Sequence, residues 1–463
     1  MNSRQETDSL GEVRLPADTL YGSNTYRALQ NFPSSGIAIG DEPQLVEALA
    51  LIKKSCVLSN VDLGVIDAKT GQAISQACDI MLSGKLNQHL VVPLIEGSGG
   101  TSTNMNANEV LANQALLLLG CSIGDYESIH PNDHINCGQS TNDVVPSAMK
   151  LATYHLVDQV IASLDNVVES LARKSSEFSE VYRLGRTCLQ DAQPMTLGQA
   201  FSGYVSVISR ASERIRRQQQ CFLVIPLGGT AIGTGLGSVK GFRAGAFAHL
   251  KTLTGLAVEP SGNRFDGMQN LDEFQRLSAE LETATAALAK IAKDFMLLSS
   301  GPVGGLGEIT LPSVQPGSSI MPGKVNPVIP MSVVQLSQMV HGNHSCIAMA
   351  CQDGMLEINH YEHSLASRLF DSLHLTTEIA ASFADLCIDG IEANAERSMA
   401  NLQNSFALAT IFVPKLGYSA VSKLVKESLK CDETFLELAQ KHQLITEAEI
   451  LDEIKRSVIV DND

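Results

Sequence analysis

The 463-residue sequence contains no basic run, no CxxC pair and no long stretch of apolar residues free of charge. Each absence closes a route to function. Binding nucleic acid requires clustered cations to neutralise phosphates, yet 50 Asp and Glu stand against 33 Lys and Arg, for a net charge of -17. That balance excludes a nucleic-acid partner and serves solubility. It also repels anions weakly, so any anion site must be built locally. A membrane-spanning helix needs about 18 consecutive apolar residues, and the N-terminal MNSRQETDSLGEVRLPADTLYG carries charges where a signal peptide needs an apolar core. A soluble, cytoplasmic protein with no membrane partner is expected. The 10 cysteines show no pairing pattern, so they read as reduced thiols, mostly small buried hydrophobes. Internal repeats and low-complexity linkers are missing as well.

What is present is helical periodicity on a hydrophobic content of 44%. Leu271, Phe274, Leu277, Leu281, Ala284, Leu288, Ile291, Phe295 and Leu298 step by three or four, which predicts one apolar stripe along a helix of roughly 40 Å. Val157, Val160, Leu164, Val167 and Leu171 repeat the pattern, as do Phe201, Tyr204, Ile208, Ala211 and Ile215. Less regular stripes cross 331–350 and 364–388. Five such helices can bury their stripes only against neighbours, so the expected class is mainly α with a central bundle. The expected domains are a mixed helix and loop segment over 1–142, the long-helix bundle over 143–392 and a small helical segment over 393–463.

Four segments interrupt this pattern with small hydroxyl, amide and glycine residues: GSGGTSTNMNANE (97–109), HPNDHINCGQSTND (130–143), GRTCLQDAQP (185–194) and GSSIMPGKVNP (317–327). Backbone N–H groups freed by glycine turns and helix N-termini, with Ser, Thr and Asn side chains, supply many donors and little charge. That suits a carboxylate. Nucleotide binding is rejected, because GSSIMPGKV has five residues between its glycines rather than four and Val325 where a magnesium-binding hydroxyl belongs. His341 with His344, and His360 with His363, have helical spacing but no full ligand set around them, so neither a metal nor another cofactor is expected.

Together these segments resemble the aspartase/fumarase superfamily. GSSIMPGKVNP is similar to its signature, and GTSTNMNANE, HPND, QSTND, GRTxLQDA and GTAIGTG resemble its other blocks in their usual order, from LGEVRLPADTLYGSNTYRALQNF to LGYSAVSKLVKESL. The resemblance implies a three-domain fold whose five long helices form a twenty-helix core in a homotetramer, with active sites drawing loops from three subunits. It implies removal of a proton beside a carboxylate and departure of the group on the next carbon, giving fumarate or a fumaryl product. The substrate partner would be a small dicarboxylate or amino acid. By resemblance Thr101, Ser140, Thr141, Lys324 and Asn326 are donors to the carboxylate that takes up the charge as a dianionic aci form, and Ser318 is the base. His130, Asn132 and Asp133 correspond to a secondary anion site of fumarases.

Thr141 in QSTND and Tyr21 in LYGSNT resemble aspartases, whereas FSGY (201–204) resembles fumarases. The resemblance therefore implies a C–N lyase acting on L-aspartate or an aspartate-like substrate. Fumarate hydration, a lyase on a substituted aspartate and an inactive structural paralogue stay open as alternatives. The chain departs from the family at the opposite end of the substrate: Cys188 follows Thr187 where His or Gln is usual, Met331 stands where Glu is frequent, Ala200 replaces another Glu, and His360 replaces a small apolar residue. Thr187 and Asn142 remain to hold that end, with His360 a further candidate donor.

Overall fold

The computed structural model describes residues 3–32 and 36–459. The chain is mainly α. Five long helices, Thr141–Glu177, Leu197–Gln219, Asp272–Leu298, Val328–Gln352 and Glu362–Leu386, carry the five predicted stripes, with Leu271 and residues 387–388 just outside their helices. Periodicity works here because each stripe leaves water. Leu277, Leu281, Ala284, Leu288, Ile291 and Phe295 on one helix, and Val157, Val160, Leu164, Val167 and Leu171 on another, are fully buried. Each large apolar side chain so buried contributes about 1.5–3 kcal/mol relative to exposure.

Two compact units divide the chain, one of 1–161, 213–282 and 339–375, the other of 162–212, 283–338 and 376–463. The boundaries fall inside the five long helices. In the first unit Ser3–Asp8 and Gly11–Pro16 pair as an antiparallel hairpin, and the helices Pro43–Asp62, Ala68–Leu82 and Thr101–Leu118 follow. In the second, Tyr182–Thr187 pairs with Gln190–Thr196, and the short C-terminal helices close over Leu402, Leu408, Phe412, Phe435, Leu438 and Ile454.

One segment departs from the sequence-based expectation. GTSTNMNANE is not a break between helices, because Thr101–Leu118 is helical throughout, and Thr103, Asn104, Asn106, Asn108, Glu109 and Asn113 are buried on it. These polar side chains replace backbone partners for neighbouring loops. Asn106 Oδ1 accepts from the Val92 N–H (3.2 Å) and its Nδ2 donates to the His89 carbonyl (2.9 Å). The Glu109 carboxylate accepts from the N–H groups of Gly22 (2.8 Å) and Asn24 (2.9 Å), at the start of the helix Ser23–Asn31. An acid at a helix N-terminus also meets the positive end of the helix dipole.

Candidate active site

In the first unit the site is built around the glycine turn that precedes the Thr101 helix. Gly99 and Gly100 have φ of +64° and +88°, a left-handed conformation that L side chains adopt only at a cost. Space is also tight. A Cβ on Gly100 would lie 3.1 Å from Thr141 Cγ2 and 3.2 Å from both Glu362 Oε1 and His363 Nε2, and a Cβ on Gly99 would lie 3.3 Å from the Cβ of His360. Glu96 ties the turn together, its carboxylate accepting from Gly100 N–H (3.0 Å) and from Ser98 N–H. The turn thus gathers Thr101, Thr141 and His360.

Ser140 stands immediately before the Thr141 helix. Its N–H donates to Asp143 Oδ1 (3.0 Å), and its Oγ accepts from Asn142 N–H (3.2 Å). Asn142 Nδ2 donates to the carbonyl of Ala231 (2.8 Å). Thr141 Oγ1 accepts from Asn104 Nδ2 (3.2 Å), leaving its proton for another acceptor. The arrangement presents hydroxyls and a helix N-terminus, which suits an anion. The neighbouring His130 is used internally: its Nδ1 accepts from the N–H groups of Asn132 (3.2 Å) and Asp133 (3.3 Å).

In the second unit Thr187 and Cys188 sit at the tip of the Tyr182–Thr187 hairpin. Cys188 and Leu189 form its two-residue loop, with φ of 52° and 61°, the left-handed pair that matches the twist of the flanking strands. Cys188 is exposed. The hairpin is anchored by charge, because the fully buried Glu308 accepts from Arg183 Nε (2.8 Å) and pairs with Arg186 (2.8 Å). Met331 lies in the first turn of the Val328 helix and is half exposed.

The signature segment folds back on itself in the same unit. Gly317 N–H donates to the Lys324 carbonyl (2.9 Å) and Asn326 Nδ2 donates to the Gly317 carbonyl (2.6 Å). Ser318 Oγ accepts from the N–H groups of Ile320 (3.1 Å) and Met321 (3.0 Å). Two backbone dipoles aimed at one hydroxyl oxygen stabilise negative charge on it. Lys324 is exposed at the far end of the fold-back.

Sequence reasoning missed the part played by several buried charged groups around the Gly99–Gly100 turn and the Thr141 helix of the first unit. Asp143 is fully buried, and its Oδ2 accepts from Gly228 and Thr230 N–H groups (2.9 Å each), fixing the GTAIGTG loop against the Thr141 helix. Burial pushes its carboxyl up to about 6, against the opposing pull of these backbone bonds. Glu362 is buried and raised well above the usual carboxylate range by desolvation, then by Glu96. Beside it, His363 is pushed down by burial, with Nδ1 donating to the Leu94 carbonyl (3.1 Å). Lys53 sits in the apolar run ALALIKKSCV, where the only signal was its polarity. Among the described residues no cluster of three or more His, Cys, Asp or Glu is placed to hold a metal ion, and no helix is long and apolar enough to cross a membrane. His341 pairs with Glu282, and His344 Nδ1 meets Ser278 Oγ at 3.0 Å.

The sequence profile of the lyase family matches residues 11–342. The chain belongs to this lyase family. Its likeness to individual members runs nearly the whole length. Aspartate ammonia-lyase of Pseudomonas aeruginosa is 40% identical over 97% of this chain and 95% of that protein. Mitochondrial fumarate hydratase of Saccharomyces cerevisiae is 39% identical over 97% of this chain and 92% of that protein. Among solved structures, a fumarate lyase:delta crystallin from Brucella melitensis bound to cobalt superposes with a TM-score of 0.96 at 41% identity, covering 99% of this lyase and 100% of that chain. The resemblance read from the motifs, to the aspartase/fumarase superfamily, therefore holds for fold and family.

Proposed function

We propose that this lyase removes ammonia from L-aspartate, or an aspartate-like substrate, to give fumarate or a fumaryl product. The observation that carries the reading is the pair of N–H groups on Ser318 Oγ, because an ordinary serine is too weakly acidic to be a base unless its alkoxide is stabilised. As base, the Ser318 alkoxide takes the proton from the carbon beside one carboxylate. The electron pair left behind is held on that carboxylate as an aci dianion. It then forms the C=C bond as the C–N bond breaks, and the nitrogen leaves with its bonding pair as ammonia. Thr101, Ser140, Thr141, Lys324 and Asn326 are the donors for the dianion, and preorganised donors of this kind each supply about 3–4 kcal/mol. Asn142 and Thr187 hold the opposite end, with His360 beside the glycine turn as a further donor. No metal or other cofactor enters any step.

The donors are distributed over both compact units, and we assign the complete site to a homotetramer in which different subunits contribute these loops. A second reading is favoured by one finding: the yeast fumarate hydratase is nearly as similar as the ammonia-lyase. Incubation with L-aspartate and, separately, L-malate, following fumarate absorbance, decides between them. Turnover of aspartate supports ammonia loss. Turnover of malate alone overturns it in favour of hydration.

A further inference from the structure

Lys53 lies on the Pro43–Asp62 helix with only 1% of its surface exposed. Among the described residues it forms no ion pair. Its ammonium instead donates to two neutral amides, Asn136 Oδ1 (3.0 Å) and Gln139 Oε1 (2.9 Å), both in the loop that leads into Ser140 and Thr141. Burying a cation with no carboxylate in direct contact is costly, so the question is what this one does.

The answer lies in the direction of the hydrogen bonds. An ammonium only donates, so Asn136 must turn its oxygen towards it. That same oxygen accepts from Asn104 Nδ2 at 3.0 Å. Asn104 must therefore present its amide nitrogen, and the second hydrogen of that nitrogen goes to Thr141 Oγ1 (3.2 Å). Thr141 Oγ1 is thereby an acceptor, and its own proton is directed elsewhere; among the described residues nothing accepts it. Reversing any amide in this chain would set two donors or two acceptors face to face. Asn136 is held the same way round by two weaker bonds, Asn108 Nδ2 donating to its Oδ1 (3.3 Å) and its own Nδ2 donating to the Gln139 carbonyl (3.3 Å), while Asn104 Oδ1 is a buried acceptor left without a partner, an orientation that follows from Asn136 and the charge on it. Gln139, held by the same ammonium, ties the loop down further by donating to the Ile135 carbonyl (3.0 Å).

The geometry points to Lys53 as a positioning residue for the substrate carboxylate: acting through Asn136 and Asn104, it sets the Thr141 hydroxyl as a donor and supplies a buried positive charge beneath it. This rests on the lyase reading above, in which Thr141 receives the carboxylate. The groups that act on Lys53 are Cys56 on its own helix, Asp143 at the start of the Thr141 helix and Cys78 on the Ala68 helix. Burial pushes the ammonium down to about 8, while Cys56 and Cys78 are pushed up to about 12 and Asp143 to about 6. Between pH 7 and 9.5 Lys53 is therefore the one of these four that changes charge. A neutral amine can accept as well as donate, so the imposed direction is lost along with the charge.

The test is calorimetric titration of fumarate into the wild type, Lys53→Met, Thr141→Val and the double variant. At pH 7 each single substitution is expected to weaken fumarate binding about tenfold, the size of one lost hydrogen bond to a charged group. The double variant is expected to bind within about twofold of Thr141→Val, because the lysine acts through that hydroxyl. Wild-type affinity falls as pH rises from 7 to 9.5, and Lys53→Met does not show this fall. A merely structural lysine would give losses that multiply and no change in the pH profile. Should Lys53→Met not fold, Asn104→Leu cuts the same chain while leaving the lysine in place, and the same non-additivity with Thr141→Val is required. Multiplying losses, or a Lys53→Met protein that binds like the wild type, overturns the inference and leaves the lyase reading standing. Failure of fumarate to bind the wild type overturns both.

Discussion

Replacing Gly317 by alanine isolates the geometry of the signature loop from its chemistry. A Cβ at this position would sit 2.4 Å from the Lys324 carbonyl oxygen, 2.7 Å from the Asn326 nitrogen and 2.9 Å from the Lys324 carbonyl carbon. All three are backbone atoms, so no side chain can swing aside. Relief requires the two strands of the fold-back to part, which removes the Gly317 N–H bond to Lys324 and the Asn326 bond to Gly317. Overpacking of this kind costs about 1–3 kcal/mol, and two hydrogen bonds contribute a further ~1–3 kcal/mol. At about 1.4 kcal/mol per factor of ten, kcat/KM for aspartate is expected to fall at least ~30-fold. The loop from Ser313 to Pro316 and from Ser319 to Val325 is exposed, so the melting temperature should shift by less than about 2 °C. Gly323 supplies the comparison. It has φ of +79° but nothing within 4 Å of its would-be Cβ, so alanine there meets only the left-handed strain of about 1–2 kcal/mol and should lose less activity. Fumarate production followed by its absorbance, with a melting curve, measures both effects. A Gly317→Ala enzyme within threefold of wild type, or one less active than wild type by no more than Gly323→Ala, refutes the argument that this fold-back holds the reacting groups.

Ser318→Ala removes the base but leaves the loop's backbone, so turnover should drop by about a thousandfold or more while fumarate still binds; stopped-assay kinetics with calorimetry distinguishes this from loss of binding. Asp143 gives a pH signature in stability. Its folded carboxyl is raised to about 6, so the stability it adds is fully present below the unfolded value near 4 and is lost as pH rises to about 6. The change is about 3 kcal/mol over the whole titration and about 2 kcal/mol of it falls between pH 4.5 and 6.5; denaturant titrations at those two pH values should show the loss in wild type and a flatter profile in Asp143→Asn. Cys188→Gln restores a longer polar side chain at the hairpin tip, and aspartate turnover should rise. No increase would dissolve the case that this end of the substrate site has been rebuilt around sulfur.

The long helices were legible because their information is local: a stripe of residues such as Leu277, Leu281 and Leu288 names its own buried face. The signature loop was legible for the same reason, since Gly317, Ser318, Lys324 and Asn326 lie within ten residues and bond one another. The Thr101 helix was read as a break because its buried asparagines mimic loop composition. What distinguishes them is the partner, and those partners lie far away in sequence, as with Asn113 and the Leu20 carbonyl. Glu96 and Glu362 were invisible on the same ground, and His363 was weighed only as a metal ligand: each becomes informative only once it is seen against Gly100.

Burial explains why the charged residues beneath the start of the Thr141 helix resist being read. An exposed ion pair advertises itself by helical spacing, whereas Lys53 carries no such mark and bonds two amides more than eighty residues away in sequence. In a chain with a net charge of -17, an anion can be drawn in only where local dipoles and the rare cation outweigh the general repulsion. Hydroxyls and helix N-termini meet part of that need but carry no net charge, and a hydroxyl can turn either way. A buried ammonium does two things they cannot: it adds positive potential where water does not screen it, and it gives a chain of neutral amides a fixed direction. The wild-type enzyme should therefore lose fumarate affinity on the alkaline side even though the ligand itself keeps its charge there, and that loss should disappear when position 53 can no longer titrate.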